Sequence, residues 1–202
     1  PFLGLMSAGG EQTFRLIMGP TWERATERNA RFTLRLSSSG TGRSMGVEEV
    51  YNGGDFNADY NMNHGPVQFT VPPEAARAEL VVILSGHGQS DGNNCSEWCD
   101  HRHLFAVNGN GIGEIRSQIP LGSLRGCADK ADEGVPPGQF GNWAPGRAYW
   151  CPGWPVDAMR FDITDHLSGD DMDQLTYSAN MDGGAPGGGD IDLSVYVVWY
   201  SE

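Results

Sequence analysis

Eleven residues, "NNCSEWCDHRH" at positions 93–103, hold two cysteines, a glutamate, a tryptophan and two histidines. Three kinds of chemistry fit them. Cys95, Cys99, His101 and His103 bring thiolate and imidazole ligands close together, the donor types of a zinc site. His101 and His103 also alternate on the predicted strand "HRHLFAVNG", so their side chains share one face. Two such nitrogens with Asp192 as a carboxylate make a 2-His-1-carboxylate set. Met181, placed by the sequence in a loop, is the other candidate for the third ligand. Oxidised, the two cysteines instead close a tiny loop that carries Glu97 at its apex.

The remaining cysteines, Cys127 and Cys151, decide between these readings. They lie far apart, and neither has a neighbouring cysteine to complete a zinc finger. An even cysteine count in an acidic, glycine-rich chain favours disulfides in an oxidising compartment, with three pairings open. In the loop-entropy model a Cys127–Cys151 bridge contributes about 3.5 kcal/mol and a Cys95–Cys99 bridge about 2 kcal/mol. The short bridge therefore shapes its loop more than it stabilises the fold.

Cys151 lies in a second segment with useful chemistry, "GRAYWCPG" at 146–153. Arg147 can give a paired hydrogen bond to a carbonyl or carboxylate. Trp150 and Trp98 offer flat apolar faces. Glu97 is a candidate acid or base. The plainer alternatives are tryptophans that pack over the disulfides and a glutamate solvated on its loop. His87, in "SGHG", ends a buried strand and shapes the turn.

These segments hang on strands. "ELVVILSG" (79–86) is a near-continuous apolar run, and "RFTLRLS" (31–37) alternates. "IDLSVYVVWY" (191–200), "TFRLIMG" (13–19) and "QLTYSANM" (174–181) carry the same signal. Gly/Pro-rich breaks such as "NGGD", "VNGNGIG" and "DGGAPGGG" separate them. No long stretch keeps a helical period. The expected fold is all-β, a sandwich or jelly roll. Residues 2–38 and 163–201 share an order of short apolar turn, polar break, strand, long loop and final strand. Either residues 1–38 close an earlier, incomplete jelly roll and 39–202 form a second, or the whole chain is one sandwich.

The segments "SGHG…NNCSEWC" and "GRAYWCPG", with their spacing, resemble the C-terminal domain of the peptide:N-glycosidase F family. That family hydrolyses the amide between an N-linked glycan and asparagine, with its site between two eight-stranded antiparallel jelly-roll sandwiches. The resemblance implies Cys95–Cys99 and Cys127–Cys151 disulfides. It gives Glu97 and Arg147 catalytic roles and Trp98 and Trp150 substrate contacts. It makes residues 1–38 the closing hairpin of the first jelly roll. The family's principal catalytic aspartate lies in that first domain, ahead of any residue here. The function implied is the C-terminal part of a secreted amidase, inactive without an N-terminal domain. Its partners would be an N-glycan or glycoprotein, and N-terminal strands supplied by another polypeptide or a neighbouring copy. One alternative is a non-catalytic extracellular binding or structural module. The other is a copper-dependent monooxygenase, a more distant jelly-roll relative, using His101, His103 and Asp192. No cofactor is expected on the first two readings.

Composition narrows the partners. The formal net charge is −13 and the pI about 4.6, and Lys130 is the only lysine. Such a chain repels phosphate backbones, so no nucleic acid is expected. No apolar run approaches the roughly 20 residues of a membrane-spanning helix. No signal peptide is visible, and the expected location is secreted, periplasmic or at the cell surface.

Overall fold

The alternation in "HRHLFAV" puts His101, His103, Phe105 and Val107 on one face and Arg102, Leu104 and Ala106 on the other. In the computed structural model the first face is buried. The structure describes residues 10–11, 13–15, 42–88, 95–117 (the Cys95 side chain excepted), 123–138, 141–169, 172–181 and 188–201. Among the described residues eight strands are formed: β1 Ser44–Asp55, β2 Val67–Phe69, β3 Arg77–His87, β4 His101–Val107, β5 Asn110–Ile115, β6 Met159–Asp162, β7 Asp173–Met181 and β8 Asp190–Tyr200. They make two four-stranded antiparallel sheets, in the orders β1-β8-β3-β6 and β2-β7-β4-β5. This is the double Greek-key order of a jelly roll, as expected.

The core lies between the sheets. Leu80, Val82 and Leu84 of β3 and Val195 and Val197 of β8 meet Phe105, Val107, Leu175 and Tyr177 from the facing sheet. Burying each such aliphatic side chain contributes about 1.5–3 kcal/mol. Asn108 and Gly109, at φ 50° and 79°, make the tight turn between β4 and β5. The Asn108 side chain donates to Asp173 Oδ1 at 2.7 Å, tying this turn to β7.

Two expectations are corrected. "NGGD" is not a break: it lies inside β1, where the register against β8 shifts. A Cβ on Gly53 would run into the Ile191 carbonyl, so glycine there permits close strand approach. Residues 13–15 are described and form no strand, and Phe14 is exposed. The rest of the predicted N-terminal hairpin, and with it the status of 1–38 as a separate unit, lies outside the described residues. The sandwich itself closes with strands from 44–200 alone. Nothing in the described residues calls for strands from another polypeptide.

Above the sandwich end where β3 stops and β4 starts sit a helical turn, Cys95–Trp98, and part of the long β5–β6 connection. Both "CSEW" and "GRAYWC" fall in this layer.

Candidate functional site

The two segments are joined through their main chains. Ala148 N donates to the Glu97 carbonyl at 2.9 Å, and Gly86 N to the Ala148 carbonyl at 3.1 Å. This stacks the Glu97 turn, the Arg147–Trp150 segment and the end of β3. Glycine at 86 makes it possible, because a Cβ there would strike the Ser96 carbonyl oxygen.

Glu97, Trp98, Arg147 and Trp150 come together at one place. Arg147 Nε donates to Glu97 Oε1 at 2.8 Å, and Gly88 N donates to Oε2 at 2.9 Å. The other arms of the guanidinium donate to the carbonyls of Asn142, Trp143 (3.3 Å) and Pro145 (3.4 Å). The guanidinium carbon lies 4.8 Å from the Trp98 ring centre and 5.0 Å from that of Trp150. Trp150 Nε1 donates to the Gly86 carbonyl at 2.7 Å, and its ring meets His87 at 4.7 Å. His87 Nε2 is 2.8 Å from Ser85 Oγ and 3.4 Å from Asp192 Oδ2. Both contacts use one nitrogen, so this trio lacks the two-sided relay of a Ser-His-Asp triad.

Burial changes what the central pair can do. Arg147 is 0% exposed and Glu97 3%. Every described partner of the guanidinium is internal, and each carboxylate oxygen already accepts a protein N–H. A charged pair taken out of water persists only when its partners are satisfied in this way. Trp98 and Trp150 are only half-buried, so they carry the exposed surface of the cluster. The solvated-loop reading of Glu97 is therefore overturned.

The Cys127–Cys151 disulfide is present and holds a small second core with Val135, Trp143 and Trp154. Cys99 is also disulfide-bonded, while the side chain of Cys95 lies outside the described structure.

The histidines are not a surface pair. His101 and His103 are 1% and 0% exposed. His101 Nε2 meets the Ser96 carbonyl at 2.8 Å, and its Nδ1 meets His103 Nε2 at 2.8 Å. His103 Nδ1 meets the Tyr177 hydroxyl at 2.6 Å. All four ring nitrogens thus have protein partners. Burial pushes both imidazoles below their ordinary pKa, His103 furthest, aided by the neighbouring His101 and His64. Asp192 points outward from β8 in the other sheet, and Met181 is in β7 opposite His101, not in a loop. The trio proposed for copper is therefore not gathered at one point. Among the described residues no three His, Cys, Asp or Glu side chains are placed to share a metal. The signal for the buried histidines was present in the sequence: period two puts them on the face of Phe105 and Val107. Tyr149, Ser96 and the carbonyls of 142–145 carried no such signal.

The sequence model of the family described as Peptide-N-glycosidase F, C terminal, matches residues 55–198, well over half of the chain. The chain belongs to this family. The peptide-N-glycosidase F domain so identified contains all of β2–β7, both cysteine segments and most of β8. A curated relative, the peptide-N(4)-(N-acetyl-beta-D-glucosaminyl)asparagine amidase F of Elizabethkingia miricola, is 33% identical over 104 residues, 49% of this chain and 27% of its own length. The solved glycosylasparaginase PNGase F of Flavobacterium meningosepticum superimposes with a TM-score of 0.55 at 23% identity, over 80% of this chain and 53% of that one. PNGF-II superimposes with a TM-score of 0.55 at 15% identity, over 79% of this chain and 30% of that one. These likenesses show the jelly-roll fold. The chain spans about half the length of the solved PNGase F and less of the others. No helix among the described residues is long and apolar enough to cross a membrane. The disulfide is compatible with an extracellular location.

Proposed function

We propose that this chain is the C-terminal part of a secreted amidase that hydrolyses the bond between an N-linked glycan and asparagine. It would work with an N-terminal jelly roll and be inactive without one. The observation that carries this reading is the Glu97–Arg147 pair flanked by the Trp98 and Trp150 rings. Family membership supports it, as does the relative named for that amide bond. In this reading the half-buried tryptophans give a sugar ring its stacking face. Glu97 and Arg147 lie directly behind that face. Their fixed charges orient the aromatic rings and set the field at a bound amide, while a carboxylate from the first domain activates water. The sequence-based role of Glu97 as an acid or base requires a bound amide to reach its remaining lone pairs. No step uses copper, since the histidines are spent within the core.

The test compares this chain alone with the same chain joined to its upstream polypeptide, on an N-glycosylated peptide. Hydrolysis by the joined protein only is expected, with Trp150→Ala raising KM about tenfold, the size of one stacking contact. Glycopeptide binding without hydrolysis by the joined protein would favour the second reading, a non-catalytic glycan-binding module. That reading draws on the burial of Glu97 and Arg147, which leaves the Trp98 and Trp150 rings as the surface of the cluster. Neither binding nor hydrolysis would sink both.

A further inference from the structure

Beneath the site, His101 touches both of its halves. Its ring bonds to the carbonyl of Ser96, the residue before Glu97. Its own carbonyl accepts the Tyr149 hydroxyl at 2.6 Å, and Tyr149 lies between Arg147 and Trp150. The direction of the ring bonds follows from one anchor. A carbonyl only accepts, so His101 Nε2 must carry the hydrogen there. In the neutral ring Nδ1 is then an acceptor, and His103 Nε2 must donate to it. His103 Nδ1 accepts in turn from the Tyr177 hydroxyl, whose oxygen is 2.9 Å from the Tyr60 hydroxyl. One orientation satisfies every group from Tyr60 to Ser96. The rings of Phe56, Tyr149 and Tyr177 lie against the histidines, and the charged or titratable neighbours are Tyr149, Tyr177, His64 and Asp100.

Tyr149 adds a second observation. It is a bulky residue at φ 71°, the left-handed region that a side chain of its size rarely enters. Such a conformation persists only where its surroundings over-determine it. Here Tyr149 N donates to Ser117 Oγ at 3.1 Å, and the hydroxyl is held by His101. The ring lies against both histidines, at 5.1 and 5.6 Å. This backbone turn aims Arg147 inward at Glu97 and leaves Trp150 over the end of β3.

We propose that His101, backed by His103 and joined to Tyr149, is the positioning element of the site. It clamps the Glu97–Trp98 turn and the Arg147–Trp150 segment to β4, so that the ion pair and the two tryptophans keep one arrangement. Its value for catalysis rests on the function proposed above, but its test needs no substrate. The readouts are the Arg147 Nε–H signal by NMR and the near-ultraviolet circular dichroism of the tryptophans. Both are measured on the full 202-residue chain under native conditions.

His101→Phe keeps a ring of similar size and removes both nitrogens. Exchange of the Arg147 Nε–H with solvent should rise about tenfold, the effect of losing one hydrogen bond that held the segments. The tryptophan signal should weaken while the far-ultraviolet spectrum stays that of the sandwich. Tyr149→Phe, which removes one hydroxyl, should give a smaller change of the same kind. His101→Gln, which can still donate to Ser96, should recover much of the Arg147 protection. If His101→Phe does not fold, Tyr149→Phe decides the matter by the same signals. A folded Tyr149→Phe, and His101→Phe where it folds, with Arg147 and tryptophan signals like those of the natural chain would overturn the proposal. Loss of global stability alone, without change at Arg147, would do the same. Failure of the joined protein to cleave glycopeptide would count against the amidase reading and leave this result standing.

Discussion

In the two sheets, backbone groups satisfy one another along the ladders, and side chains are left to pack. In the loop layer over the β3–β4 end, main-chain bonds form no ladder, and buried side chains add the contacts that join its segments. The Arg147 guanidinium alone accepts the task of pairing three carbonyls and a carboxylate. The Cys127–Cys151 bond replaces what a larger core would provide. The sandwich is thus held by many small, interchangeable contacts, and the layer by a few that are not. Removing one aliphatic contact from a sheet leaves its neighbours in place, whereas removing one partner in the layer strands a buried charge. His101 and His103 belong to both regions, since they lie in β4 and bond to the layer.

This contrast can be broken first at the ion pair. Arg147→Ala should cost about 3–5 kcal/mol, because Glu97 is left buried without its cation. The combined change Arg147→Met with Glu97→Gln should recover most of that loss, since no charge is then stranded. Urea unfolding of the three proteins measures both. A single variant as stable as the natural chain would mean that the layer is not held by this pair.

Replacing Cys127 and Cys151 by serine should cost about 3.5 kcal/mol by the loop-entropy model. Hydrogen exchange should show the loss in residues 127–151 before it reaches β3 and β8. Equal loss of protection in both regions would show that layer and sandwich form one cooperative unit.

Acid sharpens the comparison at the histidines, with the smallest effect. Their folded pKa values lie below the ordinary 6.5, chiefly through burial. The unfolded chain therefore binds protons first as pH falls. The stability they permit is whole above about pH 6.5 and is lost as pH drops from there towards the folded values. The slope approaches about 1.4 kcal/mol per pH unit for each histidine. Urea midpoints measured between pH 7.5 and 5.5 check this, a window above the range where most carboxylates titrate. A flat profile would mean that the histidines are open to water.

Several strands could be read directly. Residues 79–86, 174–181 and 191–200 carry enough β-branched and aromatic side chains to mark β3, β7 and β8. β1 was hidden because its glycines look like a turn, and only the approach of Ile191 explains Gly53. β2 and β6, at 3 and 4 residues, are too short to leave a pattern. At the site, "CSEWC" and "RAYWC" pointed to residues that do come together, and Glu97 meets Arg147 across 50 positions. Their burial could not be read, because a glutamate on a loop looks the same in a sequence whether water or an arginine faces it.

Strand period, residue chemistry and cysteine count were local properties; they carried the all-β architecture, and the motifs they frame carried the candidate residues through a family resemblance. Which polar groups face each other was decided by packing. The histidines became internal hydrogen-bonding groups because the Ser96 carbonyl and the Tyr177 hydroxyl arrive from other elements and meet their nitrogens. Arg147 became part of the interior because the carbonyls of Asn142, Trp143 and Pro145 curl around it. A group's charge state and role depend on its solvent and its partners, and in a folded chain both come from residues distant in sequence.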